Sequence, residues 1–182
     1  MKPRDIILAL AACALTLPVF AADSPPTPYA GQQARPIKAL PDEDIAALRN
    51  GEGMGMAKAA ELNGYPGPVH VLTLAQQLGV TESQHQQVTA IYDRMNAAAK
   101  LLGEELITRE QTLDQLFATG EITPDRLATD TAAIASLQGQ LRSVHLAAHL
   151  ETRALLTSDQ ITRYQQLRGY SNPAAPPQHH HG

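Results

Sequence analysis

The chain has 182 residues with 14 Lys and Arg against 18 Asp and Glu, a formal net charge of −4, no Trp and two Phe. A mildly acidic chain with no basic run excludes nucleic acid as a partner. An aromatic-poor core has to be built from Leu, Ala, Val and Ile, which suits close helix packing, and the length fits one domain.

Lys2 and Arg4 precede an uncharged apolar stretch from Ile6 to Phe20, and Ala21 and Ala22 follow. A basic head, an apolar middle and a small-residue end make a secretory signal peptide over residues 1–22, which places the mature chain in an oxidising compartment, the periplasm of a bacterium. The only cysteine, Cys13, lies inside that stretch. Leu10-Ala11-Ala12-Cys13 has the form of a lipoprotein box, but it comes early and the chain stays apolar after it, so cleavage without lipidation is expected. The mature chain then holds no thiol, and its only sulfur donors are thioethers.

Residues 23–41 are rich in Pro, Ser, Ala and Gln with no period, and read as a flexible arm. Asp42–Asn50 has acids in its first turn and Gly51 beyond it, the pattern of a short helix with a glycine stop. Met54–Asn63 is expected to form a second short helix, ended by Gly64 and Pro66-Gly67-Pro68, and Val69–Leu78 a third, ended by Gly79. No role is assigned to Gly51–Pro68.

Thr81-Glu82-Ser83-Gln84 is a capping box and opens a long helix. Val88, Ile91, Met95, Ala98, Leu102, Leu106, Leu113 and Leu116 form one stripe towards Thr119, and Gly120 stops it. Thr123-Pro124 starts a second long helix with a stripe through Leu127, Ile134, Leu137, Leu141, Val144, Ala148 and Leu155. Two facing stripes joined by a short turn fold back as an antiparallel hairpin. A second capping box, Thr157-Ser158-Asp159-Gln160, opens a last helix stopped by Gly169, and the Pro/His tail over 171–182 is expected to be disordered. No segment alternates as a strand does, so the fold class is all-α: a long antiparallel helical hairpin, 81–119 and 124–155, with short flanking helices, in a single domain over 42–170.

Val80-Thr81-Glu82-Ser83-Gln84 and Leu156-Thr157-Ser158-Asp159-Gln160 resemble the paired LTxxQ motifs of the Spy/CpxP family of periplasmic stress proteins. The second matches in full, and the first has Val in place of Leu. The resemblance covers roughly Leu72 to Tyr170. It implies a non-enzymatic helical protein, often a cradle-shaped homodimer, serving as an ATP-independent holdase for unfolded envelope proteins, as a partner of a membrane stress sensor, or in metal stress as the ZraP and CnrX relatives do. Spy-type chaperones carry a basic client-binding surface, and this chain is acidic.

The sharpest site is His145-Leu146-Ala147-Ala148-His149, two imidazoles one helical turn apart, a separation that one metal ion bridges. Counting back from the turn sets His145 opposite Ala97 and His149 opposite Asp93, which makes Asp93 the expected extra ligand, with His70 in reserve. The plain alternative is a pair of core-edge histidines, one bonded to Asp93. Zinc, copper, nickel and cobalt all suit imidazole, and no organic cofactor is expected. A zincin protease is excluded, because Leu146 stands where that motif needs glutamate.

Met54 and Met56 in Gly51-Glu52-Gly53-Met54-Gly55-Met56 are soft donors that suit Cu(I), although such methionines more often fill apolar gaps. The same glycine-rich run with Lys58 follows no strand and matches no P-loop. His85 reads as a solvated residue of a helix first turn, and His179 to His181 as a loose metal-capturing tail. Leu146 and Leu150 leave the second long helix an extra apolar strip, to be covered by the short helices or a second subunit.

Overall fold

A computed structural model describes residues 27–170. The signal peptide with Cys13, the first part of the expected arm and the tail from Ser171 lie outside the described residues. The chain divides after Gly31. Of the first unit the described part is a turn in which the Ala30 N–H donates to the Thr27 carbonyl. The second unit begins at Gln32 and contains every described helix.

After a 3-10 turn at Gln32–Ala34, the helices are α1 (Asp42–Asn50), α2 (Lys58–Glu61), α3 (Pro68–Thr73), α4 (Ala75–Leu78), α5 (Glu82–Thr119), α6 (Pro124–Leu155) and α7 (Ser158–Leu167). There is no strand among the described residues, and no described helix is long and apolar enough to cross a membrane. The fold is all-α. The hairpin of α5 and α6 is its spine, roughly 57 and 48 Å long at 1.5 Å per residue.

Each long helix starts where its sequence signal lies. Thr81 accepts from the Gln84 N–H, and the Gln84 side chain accepts from the Thr81 N–H. Thr123 accepts from the Arg126 N–H with Pro124 in the first turn. Gly120 ends α5 in the left-handed conformation, φ +73°, which glycine adopts without Cβ strain.

The seam divides into two cores. Towards the hairpin turn, Ala99, Leu106 and Ile107 of α5 meet Ile134, Leu137 and Leu141 of α6, and Ile37 and Leu48 cap them. At the motif end Val71, Leu78, Val88, Leu156 and Tyr164 close together. Burying a side chain such as Leu141 contributes about 2 kcal/mol of hydrophobic stabilisation. Helix α1 crosses α5 at Gly103, where a Cβ would stand 2.5 Å from the Leu48 carbonyl oxygen, so only glycine permits the approach.

Four expectations change. The arm expected over residues 23–41 is packed in its second half, because Ile37 is buried against the hairpin and Lys38 pairs with Asp114 at 2.9 Å. The helix expected over Met54–Asn63 is regular only at Lys58–Glu61, since Met54 (φ +45°) and Gly55 (φ +76°) adopt left-handed angles. The helix expected over Val69–Leu78 breaks at Leu74 (φ −99°, ψ 10°). There Thr73 Oγ1 donates to the Val69 carbonyl, a back-bond that bends helices, and Leu72, Leu74 and Leu78 all reach the motif-end core. Leu127, expected in the stripe, is exposed, as is Leu150, so the extra strip on α6 is uncovered there.

Candidate functional site

The two motifs meet each other. The Gln84 amide donates to the Leu155 carbonyl (2.7 Å) and to Gln160 Oε1 (2.9 Å), while the Gln160 amide donates to the Gly79 carbonyl (3.2 Å) and to Gln84 Oε1 (3.0 Å). Each Oε1 also accepts from the backbone N–H of its own capping threonine. Every polar atom of the two amides is thereby engaged, and the clasp fixes the start of α5 to the junction of α6 and α7.

About two turns further along the hairpin, a cavity of about 510 Å³ opens between α5, α6 and the segment from Asn50 to His70. Its lining includes Glu61, His70, His145 and His149 together with Met54, Met95, Tyr92 and Tyr170. The histidine pair is buried, at 3% exposure for His145 and 8% for His149.

His149 Nδ1 lies 2.7 Å from the Tyr65 carbonyl. A carbonyl only accepts, so Nδ1 carries the proton of the neutral ring and the Nε2 lone pair is left free. Arg153 holds that carbonyl in place: its guanidinium donates to the Gly64 carbonyl and lies 4.5 Å over the Tyr65 ring. Gly67 packs on the far side of the imidazole, where a Cβ would stand 3.0 Å from Nε2.

His145 Nε2 is buried with no hydrogen-bond partner. Burial, and secondly the nearby His149, holds its pKa below the ordinary imidazole value.

Glu61, in the segment given no role above, is the acid of the cavity with a buried carboxylate oxygen. Its Oε1 accepts from the Tyr164 hydroxyl at 2.5 Å and pairs with Arg168 Nε at 3.4 Å. Its Oε2 is buried with no hydrogen-bond partner, 3.7 Å from His149 Nδ1. Burial and the bond to Glu61 raise the Tyr164 hydroxyl far above its usual pKa, so it remains a donor.

The structure brings together three of the four residues expected at the site. His70 lines the cavity, but its Nε2 accepts from Arg168 at 3.2 Å, which leaves that nitrogen no free lone pair. Burial, then Arg168, lowers its pKa. Asp93 is a correction: it is exposed and outside the cavity. It stands two residues beyond buried Ile91, about 200° round the helix, and counting facing positions ignores that rotation. Tyr92, Met95 and Asn96 face the histidines instead. No group of three His, Cys, Asp or Glu among the described residues is arranged to hold a metal ion.

Compared with known families, residues 70–168, more than half of the chain, match the model described as LTXXQ motif family protein. The chain belongs to the LTXXQ motif family. The matched span runs from the rim of the cavity through both glutamine boxes, so the motifs that name the family are the residues of the clasp. The LTXXQ family comprises Spy/CpxP-like, typically periplasmic, stress-related helical proteins without enzymatic activity. Comparison with curated proteins gives no match, and comparison with solved structures gives none either.

Proposed function

We propose that this LTXXQ protein is a periplasmic accessory of metal and envelope stress that takes a transition-metal ion on His145 and His149. The observation that carries the reading is the pair of orphaned atoms in one cavity, Glu61 Oε2 and His145 Nε2, both buried without a partner. A buried polar atom left unpaired costs about 1–3 kcal/mol, and a cation with its bound water would satisfy both. The bond from His149 to the Tyr65 carbonyl supports it, because metal-binding histidines commonly donate their second N–H to a carbonyl and so fix the ring. Imidazole donors suit Zn, Cu, Ni and Co.

The test is metal titration of full-length protein carrying His179→Ala, His180→Ala and His181→Ala, with and without His145→Ala and His149→Ala. One ion per chain is expected, and its affinity should collapse in the second protein. Equal affinity in both would remove the reading.

A second reading is a holdase without metal. Leu62 and Val69, at 55% and 42% exposure, form an apolar lip at the cavity mouth suited to unfolded envelope proteins. An aggregation assay with a model client, repeated on Leu62→Ser/Val69→Ser protein, checks it.

A further inference from the structure

The cavity offers the two imidazoles, and among the described residues no third His, Cys, Asp or Glu is grouped with them to hold a metal ion. Its remaining soft donors are thioethers: Met54 and Met95 both line it. Met95 lies on the α5 face turned towards the histidines. Met54 has an unusual backbone. It is the only described residue other than glycine with a positive φ, +45°, and it sits between Gly53 and Gly55. Gly53 lies against the His145 ring, where a Cβ would be 3.7 Å from Nδ1. Left-handed strain at a non-glycine residue persists where the surroundings require it, commonly at ligand clamps. Met56, two positions on, packs on the apolar core, whereas Met54 stays 42% exposed.

Resting on the metal reading above, we propose that the cavity is selective for Cu(I), held by the imidazoles of His145 and His149 and the thioethers of Met54 and Met95. Thioether sulfur is a soft donor that favours Cu(I), and Zn(II), a harder ion, gains less from it. The described helices contain no thiolate that would compete, because the only cysteine is Cys13.

The experiment is anaerobic competition for Cu(I) against a chromophoric chelator, in parallel with Zn(II) titration, on the full-length protein carrying the three tail substitutions and Cys13→Ser. It is repeated with Met54→Leu/Met95→Leu and with His145→Ala/His149→Ala. Leucine keeps the volume of methionine, and circular dichroism confirms that each variant is folded. The methionine pair should weaken Cu(I) by more than about 100-fold, beyond what loss of a supporting residue causes, and leave Zn(II) unchanged. The histidine pair should weaken both ions. Cu(I) affinity indifferent to the methionines, with histidine-dependent metal binding intact, overturns the copper assignment alone. Absence of binding by either ion in the parent protein overturns it together with the metal reading.

Discussion

Two buried polar clusters lie about two turns apart on the same hairpin, and they are finished differently. In the clasp of Gln84 and Gln160 every donor and acceptor is used. In the cavity, Glu61 and His145 each leave an atom unpaired. A saturated network specifies structure, because any change breaks several bonds together. An unsaturated one is paid for in stability, and a ligand is the natural partner for what it leaves open.

The widest gap between the two should show in stability. Gln160→Ala strands the Gly79 carbonyl, the Thr157 N–H and half of the Gln84 amide, and should cost about 2–4 kcal/mol in urea unfolding. Gln84→Ala should cost less, since Gln84 is only half-buried. In the double variant the losses should fall short of additive by roughly 1–2 kcal/mol. Strict additivity would mean that the motifs act as two separate caps and that the clasp has no energy of its own.

Gly103→Ala probes the other, apolar stretch of the hairpin. The new Cβ meets the Leu48 carbonyl, a backbone atom on α1 that moves only with its helix. A loss of about 1–3 kcal/mol is expected, with faster hydrogen exchange confined to α1. Unchanged exchange there would show that α1 is not seated by this contact.

The sequence made the hairpin legible because its signals are local. Thr81, Gln84, Thr123, Pro124, Thr157 and Gln160 stand where the helices begin. The histidine pair was legible for the same reason, since HxxxH spacing is a property of one helix. What surrounds the pair was not. Glu61 comes from a four-residue helix followed by a turn that seats Gly67 against His149 and Gly64 against Arg153 and Gln165, a long-range event with no periodic trace. The rejection of Asp93 was within reach of a helical wheel, because Ile91 and Met95 already defined the inner face of α5. The burial of Ile37 was not: one apolar residue in a proline-rich stretch makes no stripe.

Acid should separate the clusters as well. His145 and His70 have lowered pKa values in the folded chain, so on acidification the unfolded chain binds protons first. The stability they support is complete above about pH 6.5, the unfolded imidazole value, and is lost as pH falls below it. Amides do not titrate, so the clasp adds no slope. Thermal unfolding of metal-free protein between pH 7.5 and 5 should show the decline, and His145→Leu should flatten part of it. An identical slope in that variant would assign the decline elsewhere.

The smallest expected change is the most diagnostic of the contrast. At neutral pH, His145→Leu in metal-free protein removes a buried nitrogen that has no partner and puts an apolar side chain in its place. If the unpaired atom is a standing cost held for a ligand, the variant should be neutral to about 1 kcal/mol more stable, while metal binding is lost. The same kind of exchange in the clasp, Gln160→Leu, should be strongly destabilising, because its partners stay behind unsatisfied. A destabilised His145→Leu, measured beside a tolerated Gln160→Leu, would invert the two roles: the cavity histidine would be structural and the family motif free to serve another purpose.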